Sequence, residues 1–206
     1  DRPNFPFAVG TVDGYFLPQF PADIFAAGKQ AHVPLLVGWN SAEMNHMMVL
    51  GQREPPPENY AEIVRARYGG LADHVLALYP ASTVEQTIES ATALASDGFI
   101  GYSTWKWCDL HSQTGDAPVY RYLYAHPRPP MRPEMGNVAP GLAGGVVDAS
   151  DGAAIVLPPA RGAVHSAEIE YAMGNLATNE VYAWTVDDYK VSEVMQTYFA
   201  NFIKTG

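Results

Sequence analysis

The hydrophobic pattern contains two short segments that predict β-strands. Residues 33–37 are mainly apolar and do not alternate with polar residues, which is typical of a strand in a parallel sheet that is covered on both faces. Residues 119–124 alternate Val, Arg and Leu with three tyrosines, and this pattern also favours a strand. We therefore expect an α/β fold in which both segments belong to a sheet.

Helical patterns predict that residues 54–115 form a mainly helical region. One of its helices is predicted to begin with a capping box, in which Ser82 is the N-cap and Glu85 follows three positions later. Large aromatic side chains towards the end of the region favour packing over the sheet as a lid or cap. A further amphipathic helix is predicted for residues 187–203, where apolar residues recur at offsets of three and four.

Prolines and glycines are frequent between residues 126 and 161, which predicts a long loop. A connection of this length inside a compact domain is usually functional. The loop leads to Gly162, and a glycine turn there precedes His165 and a segment with helical character. Within that segment, Ile169, Ala172 and Met173 are expected to face inward, because they lie at offsets of three and four.

Two residues are candidates for chemistry. Glu43 follows the first predicted strand, at the position where open α/β sheets place their active-site crevice. A plainer interpretation is also open, in which Ser41 caps a helix and Glu43 is a first-turn acid favoured by the helix dipole. His165 alone is equally ambiguous, because a single histidine at a junction between a loop and a helix is usually a surface or packing residue.

Taken together, the segments at residues 10–18, 21–29, 33–43, 118–122, 162–171 and 198–206 resemble the type-B carboxylesterase family, the cholinesterase-like branch of the α/β hydrolases. They occur along the chain in the family's order. The resemblance implies the carboxyl-side half of an α/β-hydrolase: a mostly parallel central sheet with helices on both faces and a helical cap region. Residues 1–206 are then expected to form the carboxyl-side part of a single catalytic domain.

The resemblance also implies roles for four residues. Glu43 would be the acid and His165 the base of a catalytic triad, and His46 and Met47 would lie beside the substrate. For His46 and Met47, plain helix packing is an equally open interpretation. The triad of an α/β hydrolase runs serine, acid, histidine along the chain.

The nucleophile is expected outside this chain. No serine between residues 1 and 206 has the flanking glycines of a Gly-x-Ser-x-Gly turn. An amino-side segment upstream of residue 1 is therefore the expected partner that carries the serine, and the chain is expected to be a piece of a larger esterase subunit. Departures from the family's pattern at Ala42, Met44 and Ser166 are expected to alter loop packing without removing the acid or the base.

The expected activity is hydrolysis of small-molecule carboxylic esters through an acyl-enzyme. Two alternatives stay open: a non-catalytic cholinesterase-like module for binding or adhesion, and a self-contained binding domain. Turnover of p-nitrophenyl acetate would separate the enzyme from both.

Composition narrows the other possibilities. The formal charge of −10 argues against nucleic acid and anionic membranes as partners. Apolar runs are too short to span a bilayer, and the single cysteine, Cys108, excludes an internal disulfide. There is no zinc, phosphate-loop or dinucleotide motif, and Asp148 and Asp151 do not match a calcium loop, so we expect no metal and no cofactor. The compartment is left open.

Overall fold

The computed structural model describes residues 10–136, 138–140, 146–148 and 160–206. Its central feature is a pair of strands, β1 (Leu35–Asn40) and β2 (Val119–Tyr124), which run parallel with Leu35 opposite Val119 and Asn40 opposite Tyr124. Both predicted strands are therefore confirmed. The first begins two residues later than expected, because Pro34 has no N–H to donate to a strand partner.

Eight α-helices are described along the chain. They are α1 (Pro21–Ala26), α2 (Met47–Leu50), α3 (Pro57–Tyr68), α4 (Ala72–Leu78), α5 (Val84–Ser96), α6 (Tyr102–Thr114), α7 (Ile169–Met173) and α8 (Val186–Thr205). A single π-helical turn, Asp97–Gly101, joins α5 directly to α6. Three 3₁₀ turns lie at Gly69–Leu71, Pro133–Met135 and Leu176–Thr178. No helix among the described residues is both long and apolar enough to cross a membrane.

The predicted long loop at residues 126–161 lies partly outside the described residues. Its described part carries the turn Pro133–Met135 and two short strands, β3 (Val138–Pro140) and β4 (Val146–Asp148), which pair antiparallel. These strands were not predicted from the sequence. Asp151 lies outside the described residues.

Two helix details differ from the sequence predictions. The N-cap of α5 is Thr83, whose hydroxyl accepts the N–H of Gln86 at 3.2 Å, so the cap lies one residue after Ser82. The sequence permits both caps, because Thr83 and Gln86 have the same spacing as Ser82 and Glu85. The predicted inward positions of α7 are wrong at two of the three residues: Ile169 is 41% and Met173 74% exposed, whereas Ala172 is partly buried.

The most buried side chains of α7 are Glu170 and Tyr171, which are 6% and 0% exposed. With five residues, α7 is too short for an apolar stripe to set its orientation. Its orientation follows from what Glu170 and Tyr171 contact. Tyr171 belongs to an apolar cluster between β2 and α8, formed by Tyr124, Ala163, Ala167, Tyr171, Leu176 and Met195.

A second cluster lies among α2 to α5. Its buried members are Val49, Leu50, Tyr60, Val64, Ala72, Ala91 and Leu94. Burial of its valine and leucine side chains stabilises the fold by about 1.5–3 kcal/mol each. The segment between β1 and α2 and the segment between residues 160 and α7 lie next to each other, and this is where the predicted site residues meet.

Candidate active site

The chain does not enter a helix after β1. The N–H of Ala42 donates to the carbonyl of Ala163 at 2.9 Å, and Ala42 forms an isolated parallel bridge with Val164. The hydroxyl of Ser41 accepts the N–H of Ala163 at 3.0 Å. The plainer interpretation of Ser41 as a helix cap is therefore wrong. These bonds extend the parallel arrangement by one more segment and place Glu43 beside His165.

Glu43 and His165 are in direct contact. Nδ1 of His165 lies 2.7 Å from Oε2 of Glu43, and Oε1 of the same carboxylate accepts the backbone N–H of Asn40 at 2.7 Å. An ionised carboxylate is only an acceptor, so Nδ1 carries the proton. The side chain of Glu43 is 5% exposed and that of His165 is 29% exposed. The arrangement holds a tautomer whose Nε2 can accept a proton, and no described residue hydrogen-bonds to that atom.

The ring of His165 is covered on one side by Phe99. The two ring centroids are 5.1 Å apart and the planes meet at 83°, an edge-to-face contact. Phe99 reaches this position from the π-helical turn between α5 and α6, and such turns are frequent at functional sites. From the sequence, the aromatic residues of this region indicated only cap packing. The Asp97-Gly98 pair inside a helical run is the signal that could have drawn attention to the turn.

Asn40 was missed by sequence reasoning, although it links both parts of the site. Its side chain is buried, and its amide donates to the carbonyl of Val164 at 2.8 Å and also to the carboxylate of Glu168. Its backbone N–H holds Glu43. The last residue of β1 therefore contacts the acid and the residue that precedes His165.

The carboxylates on this face influence a neighbouring tyrosine. Burial first, and then the negative charges of Glu168 and Glu43, raise the pKa of Tyr122 above its ordinary value. Tyr122 belongs to β2, and both carboxylates accept hydrogen bonds from Asn40 at the end of β1.

His46 and Met47 lie just after the acid, at the start of α2, and both are half-buried. Burial first, and then the positive charge of Arg161, lower the pKa of His46. Arg161 itself contacts Glu85 at 2.5 Å, which ties the segment before His165 to the first turn of α5. A substrate-binding role for His46 and Met47 stays a prediction.

Another feature lies apart from this pair. A groove of about 700 Å³ between β2 and α8 is lined by neither Glu43 nor His165.

Across the described ranges, no group of three or more His, Cys, Asp or Glu side chains could hold a metal ion. The chemistry that the described residues support is proton transfer at the imidazole of His165.

An acid after a parallel strand, paired with a histidine on a later loop, is the acid–base arrangement of an α/β hydrolase. The sequence model of the carboxylesterase family matches residues 1–206, and the chain belongs to the carboxylesterase family. The predicted resemblance is confirmed. Membership of this family implies an α/β-hydrolase fold.

Two curated relatives are similar to this chain. A juvenile hormone esterase of Heliothis virescens is 26% identical over an alignment of 117 positions, which covers 52% of this chain and 21% of that protein. An acetylcholinesterase of Bungarus fasciatus is 22% identical over an alignment of 230 positions, gaps included, which covers 98% of this chain and 32% of that protein. The matched region thus spans between about a fifth and a third of the length of these relatives.

Proposed function

We propose that this chain supplies the acid and the base of a serine-dependent carboxylesterase that acts through an acyl-enzyme. The observation that carries the proposal is the 2.7 Å contact between His165 Nδ1 and Glu43 Oε2 in a member of the carboxylesterase family. The chain then represents the carboxyl-side part of one catalytic domain, with helices on both faces of a mostly parallel sheet. Residues 54–115 are its helical cap region.

In the proposed reaction, Nε2 of His165 accepts the proton of a serine hydroxyl while the serine oxygen attacks the ester carbonyl. The resulting imidazolium then donates that proton to the departing alcohol. In the second half-reaction, water attacks the acyl carbonyl and Nε2 accepts its proton. The imidazolium then donates that proton to the departing serine oxygen, which releases the carboxylic acid and restores the serine. Nothing in this sequence of steps needs a metal or a cofactor.

Glu43 has two tasks in this mechanism. Its Oε2 accepts the Nδ1–H of His165, which fixes the productive tautomer, and its negative charge stabilises the imidazolium. Its Oε1 is already satisfied by the N–H of Asn40, so the carboxylate cannot rotate without loss of a hydrogen bond. Burial of Glu43 strengthens the interaction, because the local dielectric constant is low.

We place the nucleophilic serine on an amino-side segment that precedes Asp1. No serine in residues 1–206 has the flanking glycines that the sharp nucleophile turn requires. The substrate is a small-molecule ester, and His46 and Met47 would lie beside it. The flexible thioether of Met47 would tolerate acyl or alcohol groups of different shapes.

The test is turnover of p-nitrophenyl acetate by the longer polypeptide that joins residues 1–206 to the serine segment. His165→Ala is expected to lower kcat by about 10⁴-fold or more, because the general base is lost. His74→Ala is the matched control, since His74 is exposed on α4 and is expected to leave kcat unchanged. Turnover that survives His165→Ala would remove His165 from the mechanism. Absence of turnover before any substitution would favour a non-catalytic binding module.

A further inference from the structure

Ser166, the residue directly after His165, has an unusual backbone conformation. Its φ is +63°, and among the described residues it is the one non-glycine residue with a positive φ. Residues other than glycine rarely adopt this left-handed conformation, because their Cβ atom comes too close to the following carbonyl oxygen. Such a conformation persists when the surroundings hold it. Ser166 is also 8% exposed, so solvent does not stabilise its polar groups.

The carbonyl of Ser166 is held by Arg128. Nη2 of Arg128 donates to this oxygen at 2.7 Å, and a longer bond of 3.4 Å comes from the N–H of Ile169. The same Nη2 donates to the carboxylate of Glu170 at 2.6 Å. The side chains of Arg128 and Glu170 are 7% and 8% exposed, so the guanidinium is kept in place by a buried ion pair.

A third contact fixes the plane of the guanidinium. The central carbon of Arg128 lies 5.2 Å from the centroid of the Tyr182 ring, within the range of a cation–π contact. Glu170 is held in turn by Asn179, whose amide donates to Oε1 at 3.0 Å. Arg128 is therefore a rigid donor aimed at one backbone carbonyl, the one that follows the imidazole-bearing residue.

The amino side of His165 is held separately. Asn40 donates to the carbonyl of Val164 at 2.8 Å, and Ser41 accepts the N–H of Ala163 at 3.0 Å. The two sides of His165 are thus held by different elements, the end of β1 and the segment after β2. The N–H of Ala167 donates to the carbonyl of Val164 at 3.0 Å and closes the turn, but it leaves the peptide after Ser166 unrestrained. Without Arg128, the carbonyl of Ser166 would keep only the long bond from Ile169.

We propose that Arg128 is a positioning residue for His165, which acts through the carbonyl of Ser166 to hold the left-handed turn and so keep Nδ1 against Glu43. The importance of this role for catalysis rests on the proposed function, whereas the positioning itself can be measured without turnover. The alternative is a general structural role, in which the ion pair between Arg128 and Glu170 only stabilises the fold. The two roles predict different results when Arg128 is removed from a Ser166→Gly protein.

Glycine adopts a positive φ without steric cost. A glycine at position 166 should therefore form the turn without help from Arg128. If Arg128 acts through the turn, loss of Arg128 displaces His165 in the Ser166 protein and leaves it in place in the Ser166→Gly protein. If Arg128 only stabilises the fold, loss of Arg128 has the same effect in both backgrounds, because the two substitutions are then independent.

The experiment removes the ion pair as a whole, because one unpaired buried charge would itself disrupt folding. Arg128→Met/Glu170→Met is made in the Ser166 and in the Ser166→Gly backgrounds of the intact protein. The readout is the low-field proton resonance of His165 Nδ1–H, assigned by its loss in His165→Ala. The control removes an exposed Arg–Glu pair in the same way, Arg53→Met/Glu62→Met, whose side chains are 52% and 68% exposed.

We expect the resonance to broaden or disappear in the Ser166 background and to persist in the Ser166→Gly background, with no change in the control. Loss in both backgrounds, or persistence in both, would overturn the proposal. If the double substitution prevents folding, Arg128→Lys keeps the charge beside Glu170 and moves the donor nitrogen, and the same comparison decides.

Turnover provides a second, separable result. Where the intact protein hydrolyses p-nitrophenyl acetate, removal of the ion pair should lower kcat by about 10²-fold in the Ser166 background, as expected for displacement of a catalytic group by about 1 Å. In the Ser166→Gly background the loss should stay within about twofold. A protein that shows the resonance pattern without turnover would retain the positioning role and lose the proposed function.

Discussion

Nδ1 of His165 lies 2.7 Å from Oε2 of Glu43, although 122 residues separate the two in sequence. The contact is built by backbone pairing. β1 and β2 run parallel, and the bridge between Ala42 and Val164 continues the arrangement past the end of β1. The imidazole and the carboxylate thus meet because their loops are joined at the backbone, one residue before each of them.

Glu43→Gln should lower the kcat of ester hydrolysis by about 10⁴-fold, the size of effect known for loss of a triad acid. The amide can accept only through one oxygen, whereas Asn40 N–H and His165 Nδ1–H each need an acceptor. One of the two donors therefore faces an N–H₂ group, and the tautomer of His165 is no longer fixed. Steady-state kinetics with p-nitrophenyl acetate measures the effect. Glu58→Gln, on the exposed first turn of α3, serves as the control, and an equal loss there would contradict the assignment.

Asn40→Ala should lower the free energy of unfolding by about 1–3 kcal/mol, because it removes a buried side chain that donates two hydrogen bonds. The carboxylate of Glu168 loses this donor, whereas the carbonyl of Val164 keeps the N–H of Ala167 at 3.0 Å. Urea denaturation at neutral pH is the measurement. Asn59→Ala removes a hydrogen bond to the exposed carbonyl of Glu54 and should change the stability by less than about 0.5 kcal/mol. Equal effects of the two substitutions would show that Asn40 does not hold the site.

His46 should make the protein less stable as the pH falls. Burial and the positive charge of Arg161 lower the pKa of His46 from the ordinary value of 6.5. Between the lowered pKa of the folded protein and 6.5, the unfolded chain binds a proton at His46 that the folded chain does not. The free energy of unfolding therefore rises with pH in this window. Below the folded pKa, the destabilisation has reached its full size. The urea midpoint of His46→Gln should therefore vary less between pH 5 and pH 8 than that of the unsubstituted protein.

The exposed His74 provides the comparison for this pH dependence. His74→Gln should leave the difference between the two midpoints as it is in the unsubstituted protein. Arg161→Gln should reduce the difference in part, because the charge of Arg161 is the smaller of the two causes and burial is the larger. A full pH dependence in His46→Gln would assign the effect to other groups.

Asp188 should stabilise the protein above about pH 4. Burial alone would raise its pKa, but hydrogen bonds from Thr185, Tyr171 and His126 outweigh burial, and the net pKa is below the usual 3.8. Because the folded pKa is lowered, the stabilisation is present above the unfolded pKa and is lost as the pH falls through the folded pKa.

Asp188→Asn is accordingly expected to cost about 1–3 kcal/mol at pH 7, since both the helix cap and the buried bonds to Tyr171 and Thr185 are weakened. It should also flatten the acid limb of the stability curve below pH 4. Asp187→Asn is the matched control, because Asp187 is exposed in the same turn of α8. Guanidinium denaturation at several pH values measures both, and a flat acid limb in the control would place the effect elsewhere.

Elements with a strong local pattern could be predicted from the sequence. The strands at residues 35–40 and 119–124 and the long helix at residues 186–205 follow from apolar runs and from periodicity. Family membership was predicted from short segments in a fixed order. The pairing of Glu43 with His165 was expected from that resemblance, and the contact is present. Their catalytic role, and a substrate pocket at His46 and Met47, stay predictions.

The residues that support the pair could not be predicted. Asn40, Arg128 and Glu170 act through contacts that span 124, 38 and 42 residues, and no local pattern indicates such partners. The same reason explains the error at α7, because Arg128 orients Glu170 inward and leaves Ile169 and Met173 exposed. At Thr83 the error was of a different kind, since neighbouring residues offered equivalent caps.

The ring of Phe99 contacts His165 because the π-helical turn at Asp97–Gly101 sets the direction in which Phe99 points. A π turn holds one residue more than an α turn, and each residue of an α-helix turns the chain by about 100°. Removal of Gly98 would let α5 and α6 form one uninterrupted α-helix. The side chains after the deletion would then be rotated relative to those before it. The aromatic ring would then face a new direction while the composition of the region stayed almost the same. Deletion of one residue would thus move the aromatic ring away from the imidazole of His165, whereas a smaller side chain at Phe99 would only reduce the contact.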